Sequence, residues 1–327
     1  MTYLLTCLVI LSLNFVEIKS ECENITMIKY IVNHEEYEDT IITTLADWNG
    51  FKVNLQQNTV ICNKIFNISH RHNFVSFTGS KVTHVETEFL KNQETVQVVK
   101  ITETKIQTIR KHTFHHLEVK YLILDKNQIS IIEEEAFFNL PLLGAIQING
   151  NRLSVLNSDC FKYLPRMATF HAEHNKIQSL KNSFFQIIKQ DNGYVNLNYN
   201  ELNVLKNFFA GLSAENTSVT LAENQIKELP VGIFDGYSFY SLDLSHNLIT
   251  DVSEEFLQSY VRIQIIWFDK NVFNGTTLRR LQSWSRRNNV KVKYFPYALI
   301  RNGAAGKFLS FAVTAAVFGV VLLSINI

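Results

Sequence analysis

An asparagine that returns at an almost constant interval is the feature that most restricts how this chain can fold. Successive members are 23 to 25 residues apart. An apolar residue lies five and three positions before each of them and two positions after it. The members are Asn127, Asn151, Asn175, Asn200, Asn224, Asn247 and Asn271. A fixed period of this length indicates stacked structural repeats that share one elongated core.

The second half of each unit repeats as well. An aliphatic residue lies five positions after the asparagine, and a phenylalanine lies nine or ten positions after it. These phenylalanines are Phe137, Phe161, Phe185, Phe209, Phe234 and Phe256. Two weaker units precede the others, with Thr104 and Ser80 in the place of the asparagine. We therefore expect about nine repeats over residues 72–276.

Each position of the unit has a physical role in such a stack. The two apolar residues before the asparagine alternate with polar ones, as in a strand with one buried face. A single unit cannot bury that face, so neighbouring units must stack. The asparagine amide both donates and accepts, so it can satisfy backbone groups where the chain leaves the strand. The pattern predicts an α/β solenoid with a parallel concave sheet and a convex row of phenylalanines.

The sharpest unit reads Leu242-Asp243-Leu244-Ser245-His246-Asn247, and it resembles the 24-residue class of extracellular leucine-rich repeats. The chain as a whole is similar to insect adhesion proteins of the connectin and chaoptin type and to mosquito leucine-rich immune proteins. This resemblance implies recognition of another protein at the cell surface, in adhesion or innate immunity. The cysteine-rich caps and coiled coil of the secreted immune proteins are missing from this sequence.

Both ends of the chain carry apolar segments that are typical of processing signals. Residues 1–20 read as a secretory signal peptide. Residues 302–327 read either as a GPI-attachment signal, with the lipid on Asn302 or Gly303, or as a transmembrane helix. Between them we expect an N-terminal cap over 21–71 and a C-terminal cap over 277–301, in which Leu278, Leu281 and Trp284 form one helical stripe.

Cysteines and glycosylation sequons fit a chain that passes through the secretory pathway. Cys22 and Cys62 both precede the repeats and are the expected disulfide pair. Cys160 is then left over, either as a buried thiol or as a link to a second chain. The sequence contains four sequons, at Asn24, Asn67, Asn216 and Asn274. Asn216 occupies the first position of its unit, which is normally a core position.

Outward-facing side chains on the concave sheet are the candidate ligand-binding residues. One cluster lies toward the C-terminal end, and exposed aromatic residues recur toward the N-terminal half. Aromatic residues of this kind are enriched at the centres of protein interfaces. The candidates are Tyr240, Asp243, Ile265 and Trp267 in the C-terminal cluster, with Tyr121, Ile123 and Tyr194 elsewhere on the sheet.

Other classes of function find little support. The formal net charge is +1 and no long basic or acidic block occurs, so the sequence predicts no nucleic-acid partner. His171 and His174 have opposite strand parity, which argues against a shared metal ion. No catalytic motif or cofactor loop appears. We expect a protein ligand or co-receptor and, as a further possibility, a dimer through Cys160 or the concave face. The alternatives are an accessory surface protein and a secreted soluble binder.

Overall fold

Thirteen strands are hydrogen bonded side by side in one sheet that follows the repeats. The computed structural model describes residues 28–32, 35–39, 50–54, 60–61, 73–87, 89–90, 95–258 and 262–293, the first three as backbone only. The strands of the large sheet are β1 Ile28–Val32, β2 Glu35–Asp39, β3 Gly50–Asn54, β4 Phe74–Thr78, β5 Val98–Thr102, β6 Tyr121–Ile123, β7 Ala145–Gln147, β8 Thr169–His171, β9 Tyr194–Asn196, β10 Thr217–Thr220, β11 Ser238–Asp243, β12 Arg262–Trp267 and β13 Lys291–Lys293.

The pairing of these strands repeats with the period of the sequence. From β3 to β13 each strand lies parallel to the next, and Leu122 is opposite Ile146, which is opposite Phe170. The fold is therefore an α/β solenoid with a parallel concave sheet, as the sequence predicts. Strand β3 adds a parallel neighbour on the N-terminal side of β4. Strands β1 and β2 form an antiparallel hairpin, and β1 pairs antiparallel with β3.

The repeated asparagines form a ladder inside the solenoid. Asn151 is buried, and its Oδ1 accepts from the backbone N–H of Ile129 in the preceding repeat at 2.9 Å. Its Nδ2 donates to the carbonyl of Leu124 in that same repeat and to its own Ile148 carbonyl. The same three bonds recur at Asn175, Asn200, Asn224, Asn247 and Asn271. Each amide thus satisfies buried backbone groups and joins two turns of the stack.

The phenylalanines form the second buried spine that the sequence predicts. Ring centroids of Phe114 and Phe137 are 5.2 Å apart, and those of Phe137 and Phe161 are 5.0 Å apart, with nearly parallel planes. Phe184 lies between Phe161 and Phe185, with ring centroids 6.1 Å and 6.0 Å from theirs. The spine is continuous from Phe89 to Phe256 and ends on Trp284.

Short elements connect the strands on the convex side. Small parallel sheets join Val60–Ile61 to His84–Val85, Thr108–Ile109 to Ile131–Ile132, Val155–Asn157 to Ser179–Lys181, and Phe114–His115 to Phe137–Phe138 and Phe161–Lys162. Within the described residues, two 3₁₀ turns cover Ser158–Cys160 and Phe184–Ile187. The helices in these ranges are α1, Glu254–Gln258, and α2, Gly275–Asn288.

Helix α2 differs in one respect from the prediction. Its buried face contains Thr277, Leu281 and Trp284, whereas Leu278 is only half-buried. The hydroxyl of Thr277 donates to Asp251 Oδ1 at 2.5 Å, and this bond allows a polar residue to occupy the buried position. The buried spacing of four and then three residues is that of an ordinary helix face.

Several predicted features lie outside the described residues. They include the signal peptide, the disulfide between Cys22 and Cys62, the sequons at Asn24 and Asn67, and the attachment residues Asn302 and Gly303. Within the described ranges, no helix has the length and apolar character needed to cross a membrane.

Candidate functional site

Strand register places the outward side chains of the concave sheet in columns. One such column runs from Ser76 to Trp267, and cross-strand pairs align its members. Its members are Ser76, Lys100, Ile123, Gln147, His171, Asn196, Thr220, Asp243 and Trp267. Nine strands spaced about 4.8 Å apart make a surface roughly 40 Å long. This length suits a macromolecular ligand.

The C-terminal candidates lie together on β11 and β12. Asp243 is opposite Trp267, and Ser241 is opposite Ile265. Tyr240 is an extra residue on β11, because Thr217 pairs with Phe239 and Ser218 pairs with Ser241. All four candidate side chains are half-buried. A bulge of this kind increases the local twist of the strand.

Asp243 gives the cluster a half-buried acidic group. Burial raises the pKa of its carboxyl group, and the nearby Asp269 adds to the increase. The Oδ1 atom of Asp243 accepts from the backbone N–H of Ser245 at 2.9 Å, which fixes the carboxylate against the turn. A carboxylate held in place beside Trp267 and Ile265 offers an oriented acceptor next to apolar surface. That combination suits a partner that presents a cation or an N–H donor.

Tyr121 and Ile123 form a second, separate group on β6. Tyr121 is 46% exposed, and it lines an open depression of about 430 Å³ with Lys120, Leu142, Gly144, Arg166 and Gln190. Five strand spacings, about 24 Å, separate β6 from β11. The two groups therefore lie on one sheet without touching.

Tyr194 lies between the two groups. Its ring meets His171 edge-on at 5.2 Å, and burial raises the pKa of its hydroxyl. It is three strands from Tyr121 and two strands from Tyr240, so the structure does not bring it into either group.

A second polar ladder, which the sequence analysis missed, runs along the edge of this surface. Asp125 Oδ1 accepts from the N–H of Asn149 at 2.7 Å, and Asn149 Oδ1 accepts from the N–H of Glu173 at 2.8 Å. Asn196 continues it by donating to Glu173 Oε1 at 2.6 Å. Asn198 extends it further, because its Oδ1 accepts from the N–H of Ala222 at 2.7 Å. An Asp, Asn or Glu two positions before the ladder asparagine was the signal that could have revealed it. This ladder holds the rim of the concave sheet in a fixed arrangement.

These repeats have a counterpart in known proteins. A model of the leucine-rich-repeat family matches residues 118–177. The solenoid is built of leucine-rich repeats. Domains of this kind generally mediate protein–protein binding.

Among solved structures, the leucine-rich-repeat domain of a Shigella effector is similar, with 19% identity over 54% of this chain and 72% of that chain, at a TM-score of 0.35. Among curated proteins, none matches the sequence.

His171 and His174 contact different partners. His171 Nδ1 lies 3.7 Å from Glu173 Oε1. The His174 ring stacks on Tyr199, with centroids 4.3 Å apart. In the part of the chain that the structure describes, no three His, Cys, Asp or Glu side chains are arranged to bind a metal ion.

Cys160 is buried in the convex side of its repeat. It is 5% exposed, and its thiol donates to the carbonyl of Ile132 at 3.1 Å. Burial raises the pKa of this thiol to about 11. Thiolate is the reactive form, so this setting disfavours a disulfide to a second chain. Of the two alternatives left open by the sequence, the structure supports the buried thiol.

Two sequons fall within the described leucine-rich repeats and helix α2. Asn216 is exposed and adopts a left-handed φ of 52°, so its side chain leaves the core position that the repeat pattern suggests. Asn274 is also exposed and caps α2, where its Oδ1 accepts from the N–H groups of Thr276 and Thr277. The cap uses the oxygen only, so Nδ2 is free to carry a glycan.

Proposed function

We propose that this protein is a cell-surface recognition module that binds a protein ligand or co-receptor on the concave face of its leucine-rich repeats. The continuous concave sheet is the observation that carries this proposal. It presents outward side chains in register over roughly 40 Å, with half-buried aromatic residues near one end.

The C-terminal cluster is the proposed centre of the binding surface. Trp267, Tyr240 and Ile265 supply apolar area at a low entropic cost, and Asp243 supplies a fixed acceptor. Interfaces place such residues at the centre and polar groups around them. The resemblance to insect adhesion and immune proteins supports a role in adhesion or innate immunity.

The test begins with cells that display the full chain and an array of purified extracellular domains. The dissociation constant of each binder is then measured for the double variant Tyr240→Ala/Trp267→Ala. We expect affinity to fall by at least about thirtyfold, which corresponds to the roughly 2 kcal/mol that a single hot-spot truncation costs. The matched control is Tyr163→Ala, since that ring is 71% exposed on the convex side. Unchanged binding by the double variant, with loss in the control, would falsify the concave-face proposal.

We also propose that the chain is held on the outer face of the plasma membrane by a lipid attached at Asn302 or Gly303. The small residues at 302–306 before the apolar segment 308–327 support this proposal. Phospholipase C treatment of cells that carry a tag after Ser20 should release the protein into the medium. Retention of the protein on intact cells would instead indicate a transmembrane segment.

A further inference from the structure

The nearly neutral net charge conceals an uneven distribution along the chain. The whole sequence has 31 basic and 30 acidic residues, yet no Asp or Glu follows Asp269. Nine Lys or Arg residues lie in residues 270–327, which leaves 22 basic against 30 acidic residues before them. No long run of like charge reveals this in the sequence, because apolar and neutral residues separate the cations.

The last described turn of the solenoid gathers these cations on two elements. Helix α2 buries Leu281 and Trp284 against the repeats and leaves Arg279, Arg286 and Arg287 exposed. Strand β13 follows, and its exposed Lys291 and Lys293 flank the partly buried Val292. We call these five cations, Arg279, Arg286, Arg287, Lys291 and Lys293, the basic cap.

Acidic neighbours neutralise only the sixth cation of this region. Arg280 Nε lies 2.8 Å from Glu254 Oε1, and its Nη1 lies 3.3 Å from Asp251 Oδ1. Within the described residues, the basic cap makes no ion pair. Arg287 reaches the Leu257 carbonyl and Arg279 reaches the Thr276 hydroxyl, and both of these partners are uncharged. The positive charge of the basic cap is therefore available to an external anion.

The spacing and surroundings of the basic cap favour an extended polyanion. Arg279 and Arg286 are two helical turns apart, about 10 Å along one face, and Lys291 and Lys293 are about 7 Å apart. The exposed residues between the arginines are Gln282 and Ser283, which offer little apolar surface to a peptide side chain. A guanidinium group can bind two oxygens of one oxyanion at once through paired N–H donors.

We propose that the basic cap binds a sulfated polysaccharide. A polysaccharide with a sulfate on most of its sugars presents oxyanions at many positions. It can therefore bind cations that lie apart from one another, without a shaped pocket. The proposal rests on the extracellular location proposed above, because such polymers lie outside the cell. Lys291 and Lys293 are the cross-strand neighbours of Ile265 and Trp267. The polysaccharide would therefore bind beside the protein ligand of the concave face, through the cations and not through the aromatic residues.

The experiment measures retention of the full chain on immobilised heparin in a salt gradient. The wild-type chain should elute above about 0.15 M NaCl, where exposed charges more than about 8 Å apart are already screened. The variant Arg279→Gln/Arg286→Gln/Lys291→Gln/Lys293→Gln should elute at or below that salt concentration. The matched control replaces four exposed cations of the repeats, Arg152, Lys176, Lys189 and Lys227, by Gln and should elute like the wild type.

Competition in solution identifies the ligand chemistry. Soluble heparin should displace the chain, whereas desulfated heparin and phosphatidylserine vesicles should not. Equal displacement by either of these, equal loss of retention in both quadruple variants, or no retention of the wild type would overturn the proposal. The variant Tyr240→Ala/Trp267→Ala should keep its heparin retention, and surface staining tests the location separately. Failure of one proposal is therefore distinguishable from failure of the other.

Discussion

At the scale of the residue, the ladder asparagine shows why one side chain can define a repeat. Asn175 accepts from the N–H of Leu153 at 3.0 Å and donates to the carbonyls of Ile148 and Ala172. Replacing it by Ala leaves these buried groups unsatisfied, so Asn175→Ala should lower the free energy of unfolding by about 2–4 kcal/mol. Urea titration followed by circular dichroism measures this loss. Asn203→Ala, at an exposed position, is the control and should change stability by less than about 0.5 kcal/mol.

Cys160 provides a second residue-scale prediction, which concerns pH. The folded thiol keeps its proton up to a pKa of about 11, whereas the unfolded thiol ionises near its ordinary value of 9.0. Its contribution to stability is thus present below pH 9 and is lost as the pH rises toward 11. Alkylation at pH 7.5, followed by mass spectrometry of the Cys160 peptide, should show labelling only after denaturation. Labelling of the native protein at the rate of a free thiol would contradict the prediction.

The element scale separates what sequence periodicity predicts from what it omits. The strand columns and the phenylalanine spine follow from spacing, because each repeat must match its neighbour. Thr277 in α2 was missed, since its burial depends on Asp251, a residue 26 positions away. Phe184 was missed because the repeat spacing identifies Phe185, and nothing in that spacing marks the residue before it. The edge ladder from Asp125 to Asn198 joins polar residues that a hydrophobic pattern does not register.

Helix α2 also allows the cap and the glycan at Asn274 to be tested separately. Asn274→Ser keeps an oxygen acceptor for the N–H groups of Thr276 and Thr277 but removes the sequon, and Asn274→Ala removes both. We expect both variants to lose the same glycan mass on a denaturing gel. After enzymatic deglycosylation, only the Ala variant should be less stable than the wild type, by about 1 kcal/mol. Equal stability of the two variants would show that the cap contributes nothing.

At the scale of the whole molecule, stability should spread along the stack by contact between neighbours. Phe137 contacts Phe114 on one side and Phe161 on the other. Phe137→Ala should cost about 3–5 kcal/mol and weaken the repeats on both sides more than distant ones. Hydrogen exchange should show lost protection at Ile129 and Leu153 before Ile249. The control is Phe138→Ala, at a half-buried ring on the same strand. It should produce a smaller difference in protection between the neighbouring and the distant repeats.

The constant register between neighbouring strands also bears on how a protein of this kind can change over evolution. Deleting residues 152–175 would join Asn151 to Lys176, and every remaining residue would meet a partner equivalent to the one it had before. The solenoid would then be shorter by one strand, about 4.8 Å, with its two ends unaltered. Duplication of the same segment would lengthen it by that amount. Gain or loss of whole units therefore changes the length of the recognition surface in fixed steps, and no new core packing has to evolve.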